Sequence, residues 1–311
     1  MKVYNLSKKK VWVAGHNGLV GSAIVDRLKE EDCDILTPSR KELDLTNQSE
    51  TNAWVEKNKP DAIFLAAAKV GGIKANSDFP AEFIYVNTII ASNIIHASYK
   101  NKVEKLLFLG SSCIYPKFSK QPISESELLK GALEKSNEWY AIAKITGLKM
   151  AEAYRRQYGC DFISAMPTNL YGPNDNFDLK TSHVLPALLR KAHEAKIANA
   201  SEMNVWGSGN PLREFLYVDD LADGLVFIMK NYSDNEHINI GYGADVSIKD
   251  LAETICKVVG FTGKLKFDPS MPDGTPKKMM DSSKLLNLGW KPKTNLEKGI
   301  KKTYDWYLKN K

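Results

Sequence analysis

The stretch Lys10-Val11-Trp12-Val13-Ala14-Gly15-His16-Asn17-Gly18-Leu19-Val20-Gly21 decides the fold. Its first five residues are an apolar run that predicts a buried strand, and a helical pattern at 22–29 follows the last glycine. Glycines at these positions permit a tight turn, and the helix presents free N–H groups and its positive end to an anion. Strand, glycine loop and helix in this order therefore predict a dinucleotide-binding unit rather than a purely structural turn. Its contacts are expected from Gly15, Gly18, Leu19, Val20 and Gly21.

Four further apolar runs continue the pattern, and helical segments separate them. These runs are residues 34–36, 61–67, 105–110 and 162–166. Such alternation predicts an α/β protein with a Rossmann-type, doubly wound parallel sheet. Segments 81–100 and 140–158 have helical periodicity without internal proline, so they predict two long helices that flank the sheet.

The regular alternation of strand and helix patterns ends after residue 167, which predicts a second, smaller lobe. A polar loop at 173–176 precedes a basic helical pattern at 184–196. A chain of this length commonly divides into two lobes with a cleft between them. We expect a dinucleotide-binding domain at 1–170, to which about 214–241 returns through a short strand at 237–240. Residues 171–213 and 242–311 are expected to form a mainly C-terminal α/β substrate lobe.

Composition is that of a globular protein, with 43% hydrophobic and 26% charged residues in a chain of 311. A polar N-terminus and the lack of a long apolar run predict a cytoplasmic protein that does not contact a membrane. The net charge of +6 is dispersed, which suits an anionic ligand and does not require nucleic acid. Four scattered cysteines predict free thiols, with neither a disulfide framework nor a metal site.

The end of the second predicted strand bears on the choice of cofactor. It reads Thr37-Pro38-Ser39-Arg40-Lys41, and it has an arginine where NAD sites usually place an acid. A guanidinium matches a 2′-phosphate well, so Arg40 favours NADP(H) over NAD. An ordinary solvated arginine is the alternative.

Tyr140 and Lys144 are four residues apart, which places them on one face of a helix. A phenol is a poor acid–base catalyst at its usual pKa, and a nearby ammonium is expected to lower that pKa toward the working pH. Ser111 and Ser112 end the fourth predicted strand, where a hydroxyl can hold a substrate carbonyl. Together with the glycine loop, Ser111, Tyr140 and Lys144 predict catalysis rather than a surface polar pair.

These motifs and several longer strings resemble the extended short-chain dehydrogenase/reductases that act on nucleotide sugars. The strings are Ala67-Ala68-Lys69-Val70-Gly71-Gly72-Ile73, Gly110-Ser111-Ser112-Cys113-Ile114-Tyr115-Pro116, Pro167-Thr168-Asn169-Leu170-Tyr171-Gly172-Pro173 and Arg213-Glu214-Phe215-Leu216-Tyr217-Val218-Asp219-Asp220. More narrowly, the chain is similar to members that epimerise GDP-4-keto-6-deoxy-D-mannose at C3 and C5 and reduce it at C4. That resemblance implies NADP(H), a GDP-sugar substrate and a homodimer formed by the two long helices. One departure is Asn17, where some members carry a phosphate-binding arginine, so Arg40 must contribute more.

The resemblance also implies roles that the residues alone do not. It makes Cys113 and His183 the base and the acid of epimerisation, although a lone cysteine after a strand is more often packing and a histidine at a helix start is often a surface residue. It places Lys144 and His183 at the cofactor and Asp44 at the adenine amine, with a turn or helix cap as the equal alternative for Asp44. The nucleotide contacts that it implies are Trp206, Arg213 and Lys278.

Two other functions are compatible with parts of the pattern. The first is a nucleotide-sugar 4-epimerase or dehydratase that keeps NAD bound, against which Arg40, Cys113 and His183 argue. The second is a Rossmann protein that senses a dinucleotide without turnover. A sensor does not need the proton donor that Ser111, Tyr140 and Lys144 provide.

Overall fold

The computed structural model of the protein describes residues 3–271 and 273–311. Its strands, in chain order, are β1 (Lys10–Ala14), β2 (Asp34–Leu36), β3 (Ala62–Leu65), β4 (Lys105–Leu109), β5 (Asp161–Pro167), β6 (Asn169–Tyr171), β7 (Glu202–Trp206), β8 (Leu212–Tyr217), β9 (Ile238–Ile240), β10 (Asp245–Ser247), β11 (Lys264–Asp268) and β12 (Lys277–Lys278).

Helices separate most of these strands. They are α1 (Leu19–Leu28), α2 (Gln48–Asn58), α3 (Ile73–Asp78), α4 (Pro80–Lys100), α5 (Glu138–Tyr158), α6 (Val184–Ile197), α7 (Val218–Asn231), α8 (Ile248–Val259), α9 (Ser283–Asn287) and α10 (Leu296–Asn310). No helix within 3–271 and 273–311 combines the length and the apolar character needed to cross a bilayer.

Six strands form one parallel sheet in the order β2-β1-β3-β4-β5-β9. The doubly wound parallel sheet predicted from the sequence is therefore confirmed. The strand at 237–240 does join it, because β9 pairs with β5 from Ala165↔Ile238 to Pro167↔Ile240. The strand order reverses between β1 and β3, and ligands of such sheets bind in the crevice at the carboxyl ends of the strands on either side of that reversal. The glycine loop leaves β1 at this crevice.

Each face of the sheet has its own core because successive side chains of a strand point to opposite faces. In β1, Val11 and Val13 pack into a cluster with α1 and α7, whereas Trp12 and Ala14 pack into a cluster with α2, α4 and α5. Helices on both faces explain why β1 and β4 are almost entirely apolar.

A third core lies in the C-terminal part, where α6, α8 and α10 surround β7 and β8. There β8 pairs with β6, β10 and β12, and β7 pairs with β11. The short strands β6, β10 and β12 have only two or three residues each, so no alternation marks them in the sequence.

Most predicted boundaries differ from those in the structure by one to three residues, and two of these differences have a physical reason in the glycine loop. Helix α1 begins at Leu19 rather than at 22, because Gly18 has an extended backbone and serves as its N-cap. Strand β3 ends at Leu65 rather than at Ala67, which lies against Gly15.

Candidate active site

The glycine loop can exist only with glycine at two of its three glycine positions. Gly15 has a φ of +93°, and a Cβ there would lie 2.7 Å from the backbone of Ala67. A Cβ on Gly21 would lie 2.0 Å from the carbonyl oxygen of Gly15. These contacts hold the first turn of α1 close to the carboxyl ends of β1 and β3. The N–H groups of that turn have no partners within the helix, so the loop fits the pyrophosphate of a dinucleotide.

Arg40 and Asp44 follow β2 but differ in their contacts. Arg40 is exposed, and among residues 3–271 and 273–311 it forms no ion pair. The Asp44 carboxylate accepts the Thr46 backbone N–H at 3.0 Å and the Thr46 hydroxyl at 2.8 Å. These hydrogen bonds, with a smaller effect of Arg40, lower the pKa of Asp44. The contacts of Asp44 are thus those of a turn, whereas Arg40 remains open to a ligand.

Tyr140 and Lys144 lie in the first two turns of α5, at the carboxyl end of β4. The Lys144 Nζ donates to the carbonyl oxygen of Leu109 at 2.7 Å and lies 5.7 Å from the centre of the Tyr140 ring. Ser111 follows β4 after one residue, and its hydroxyl accepts the Cys113 backbone N–H at 3.3 Å. The Ser111 side chain is also close enough to Tyr140 to lower the pKa of its hydroxyl. The fold therefore brings Ser111, Tyr140 and Lys144 together as the sequence predicted.

The expected effect of Lys144 on the Tyr140 pKa is wrong for this arrangement. Burial raises the pKa of Tyr140 above its usual value, the nearby Cys113 adds to the rise, and the hydrogen bond with Ser111 opposes it. Burial also lowers the pKa of Lys144 to about 8, against the opposite influence of Cys113. For both groups the loss of hydration is the largest influence on the pKa. Tyr140 is consequently protonated at neutral pH, which is the form that can donate a proton.

Cys113 lies in the short 3₁₀ turn Ser112–Ile114 that follows β4. Its sulfur receives the side-chain N–H of Asn137 at 3.2 Å and the ammonium of Lys278 at 3.6 Å. The four cysteines are free thiols, as the sequence predicted.

His183 is the N-cap residue of α6 and is exposed to solvent. The protein around its ring lowers the pKa of His183 by excluding water, and the charge of Lys278 lowers it further. Lys278 is thus near both Cys113 and His183. These two side chains therefore lie on the same side of the C-terminal strands.

The three residues that the resemblance assigned to the nucleotide make different contacts. Trp206 is half exposed, and its ring lies 5.0 Å from the Lys191 Nζ. Arg213 donates to the carbonyl oxygens of Leu212 at 2.9 Å and Asp273 at 3.2 Å. Lys278 lies beside Arg213 in the β12–β8 register, but its ammonium contacts Cys113.

Sequence reasoning missed three residues of this cleft: Asn137, Lys191 and Asp273. Lys191 was part of the predicted basic helix, and a cation facing Trp206 could have been sought there. Asp273 also anchors the loop before β8, because its carboxylate accepts the Ser208 N–H at 2.8 Å and the Ser208 hydroxyl at 2.7 Å. Asn137 and Asp273 carry no motif, since only the folded chain brings them to the cleft.

Comparison with known proteins agrees with this geometry. Residues 11–241 match the NAD dependent epimerase/dehydratase family. A GDP-L-fucose synthase from Sinorhizobium fredii is 57% identical over 310 residues, which are 100% of this chain and 99% of that protein. The structure of a GDP-L-fucose synthetase from Naegleria fowleri bound to NADP has a TM-score of 0.93 at 32% identity, over 99% of this chain and 97% of that one. A GDP-6-OMe-4-keto-L-xylo-heptose reductase from C. jejuni also has a TM-score of 0.93, at 37% identity, over 99% of this chain and 100% of that one. The chain belongs to the NAD dependent epimerase/dehydratase family, and within it to the GDP-L-fucose synthases.

Proposed function

We propose that the chain converts GDP-4-keto-6-deoxy-D-mannose to GDP-L-fucose by epimerisation at C3 and C5 and NADPH-dependent reduction at C4. One observation supports the proposal. The hydroxyl pair Ser111 and Tyr140 lies next to Cys113 at the carboxyl end of β4, and Lys278 links Cys113 to His183. A reductase alone needs only the first pair. Inverting two carbon centres needs a base and an acid as well.

The first step is carried by the hydroxyl pair. Ser111 and Tyr140 hold the C4 carbonyl oxygen, and their hydrogen bonds stabilise the negative charge that grows on it as an enolate forms. That stabilisation makes the C–H bonds at C3 and C5 acidic. Cys113 and His183 then exchange the protons at these two carbons from opposite faces of the sugar.

Tyr140 completes the reduction by giving its proton to the C4 oxygen. When bound, NADPH supplies the hydride for this step. The glycine loop and the first turn of α1 hold its pyrophosphate, and Arg40 holds its 2′-phosphate. Lys144 binds the nicotinamide ribose, and its position one helical turn from Tyr140 fixes the hydroxyl relative to the ribose.

The nucleotide part of the substrate is held by the second lobe, which we assign to residues 171–213 and 242–311. Arg213 binds the diphosphate, and Asp273 orients its guanidinium through the contact at 3.2 Å. Trp206 covers the base or a sugar, and Lys191 adds positive charge beside its ring. Burial lowers the pKa of Arg213, because a cation in the cleft loses part of its hydration.

The deciding experiment offers NADPH with a panel of nucleotide 4-keto-6-deoxy sugars and identifies the products by NMR. GDP-L-fucose with stoichiometric loss of NADPH absorbance supports the proposal. A 4-epimerase or dehydratase that retains NAD would give a product without net NADPH consumption. A sensor would bind the cofactor and form no product.

Arg40→Ala should lower kcat/KM with NADPH by about 10–100-fold and leave the value with NADH nearly unchanged, because the lost guanidinium binds only the 2′-phosphate. Steady-state kinetics with both cofactors measure this ratio. Lys301→Ala, which removes an exposed cation from α10, is the control. An unchanged NADPH to NADH ratio in Arg40→Ala would remove Arg40 from the cofactor site.

We further propose that α4 and α5 form a homodimer interface in the cytoplasm, a compartment that suits four free thiols. One face of α4 stays partly accessible to solvent. Its side chains recur at helical spacing: Tyr85, Ile89, Ser92, His96 and Tyr99. Tyr99 stacks on Tyr158 of α5 with ring centres 4.2 Å apart, and both Tyr85 and Tyr158 are exposed. Aromatic side chains exposed in this way are typical of protein interfaces.

Tyr85→Glu should weaken the dimer by at least roughly tenfold, because it buries a charge without a partner in the apolar interface. Sedimentation velocity at several concentrations measures the dissociation constant. Leu286→Glu, a matched change at an exposed side chain of α9, should leave the dimer intact. A wild-type protein that sediments as a monomer at micromolar concentration would contradict the proposed interface.

A further inference from the structure

The contacts of the Cys113 sulfur are unusual for a packing residue. Among residues 3–271 and 273–311, its side-chain hydrogen-bond partners are two N–H donors, Asn137 Nδ2 at 3.2 Å and Lys278 Nζ at 3.6 Å. A thiol would use its hydrogen on an acceptor, whereas two converging donors match a sulfur that carries negative charge. The environment of Cys113 therefore suits a thiolate.

The amide of Asn137 provides a second observation. Its Oδ1 is buried and has no hydrogen-bond partner in the described part of the chain. A buried carbonyl without a partner is rare and calls for an explanation. The hydrogen bond of its N–H to the sulfur thus fixes the amide even though its oxygen has no partner.

The two neighbouring lysines of β12 make different contacts. Lys277 forms an ion pair with Asp245 at 2.9 Å, while Lys278 contacts Cys113. Adjacent residues of a strand point to opposite sides, so only one of them can reach the cleft. Lys278 is in addition close enough to His183 to lower its pKa.

We propose that Asn137 and Lys278 are positioning residues that hold the Cys113 sulfur as a thiolate aimed at the substrate carbon. This inference rests on the proposed epimerase function, and it assigns Lys278 to Cys113 instead of to the nucleotide. The thiolate forms an S–H bond as the C–H bond breaks, and the electron pair of that bond becomes the enolate held by Ser111 and Tyr140. Water gives the proton to the opposite face through the imidazole of His183, and the hydroxide left behind takes the proton of the Cys113 thiol, which restores both groups.

The test measures deuterium uptake from D2O into the sugar by NMR, with Lys278→Met and its neighbour Lys277→Met as a matched pair. Uptake at C3 and C5 should fall at least roughly tenfold in Lys278→Met, because the opposite charge next to the sulfur is lost. It should stay within about twofold of wild type in Lys277→Met, which loses only a surface ion pair. Lys278→Arg should restore part of the rate.

A second readout follows the sulfur itself and does not depend on substrate. Iodoacetamide alkylation of Cys113, followed by peptide mass spectrometry across a pH series, reports the fraction of thiolate. Its midpoint should move upward in Lys278→Met and in Asn137→Leu. Asn137→Leu keeps the approximate size of the side chain but removes the N–H donor without adding a charge, so a purely structural role predicts no such shift. Melting temperatures identify any variant that has lost its fold.

The outcomes separate the inference from the function on which it rests. Wild-type protein that takes up no deuterium at either carbon overturns the epimerase proposal itself. If the wild type takes up deuterium, and folded Lys278→Met and Asn137→Leu show unchanged uptake and unchanged alkylation midpoints, only the roles of these two residues are overturned. Reduced uptake together with shifted midpoints supports them.

Discussion

Tyr140→Phe should abolish carbonyl reduction while the fold and the affinity for NADPH remain close to those of the wild type. The substitution removes only the hydroxyl that gives its proton to the C4 oxygen, and loss of such a positioned acid costs roughly 10²–10⁴-fold in rate. Burial raises the pKa of Tyr140, so at neutral pH the wild-type hydroxyl is already in the donating form. We expect kcat to fall, with KM changed much less. Stopped-flow absorbance of NADPH, together with fluorescence titration of the cofactor, separates chemistry from binding.

The matched control is Tyr4→Phe, which removes a tyrosine hydroxyl that donates to Glu104 at 2.8 Å, away from the cleft. It should reduce the substrate at the wild-type rate. NADPH consumption in Tyr140→Phe at close to that rate would exclude Tyr140 as the proton donor and leave Ser111 as the remaining hydroxyl of the pair. Loss of cofactor binding in the same variant would show that the phenol is needed to build the site.

The parallel sheet could be predicted because the alternation of its strands and helices is visible in local patterns along the chain. The apolar runs of β1, β3, β4 and β5 are nearly continuous, since helices cover both faces of the sheet, and the glycine loop marks the first crossover. Strands of two or three residues are too short to show alternation, and their pairing is decided by neighbours distant in sequence. For that reason β6, β10 and β12 appear only in the structure.

The residues of the candidate site also fall into those that the sequence predicts and those that only the folded chain brings together. Tyr140 and Lys144 are one helical turn apart, and Ser111 ends a strand, so spacing alone brings them together. Cys113, in contrast, meets Asn137 across 24 residues and Lys278 across 165, and no spacing rule covers such contacts. Burial is also a tertiary property. The motif therefore predicted the Tyr140–Lys144 pair correctly but gave the wrong direction for the pKa of Tyr140, because it contains no information about excluded water.

Two variants test whether the protein epimerises before it reduces, since proton exchange at C3 and C5 uses groups that the hydride does not touch. Cys113→Ser should slow deuterium uptake at these carbons by roughly 10²–10⁴-fold, because a serine hydroxyl is a far weaker base than a thiolate. His183→Gln should suppress the protonation step and leave incompletely inverted sugar or no product. Both variants keep Ser111, Tyr140 and the cofactor loop, so the ketone can still be reduced.

The product of Cys113→Ser is then the informative one. We expect a GDP-6-deoxyhexose that retains the starting configuration at C3 and C5, formed with consumption of NADPH and identified by NMR. Cys33→Ser, a change at another half-buried thiol, should give GDP-L-fucose as the wild type does. Wild-type deuterium uptake at both carbons in both cleft variants would mean that Cys113 and His183 are packing residues. In that case the chain would be a 4-ketoreductase of GDP-sugars, because only Ser111, Tyr140 and Lys144 would retain a chemical role.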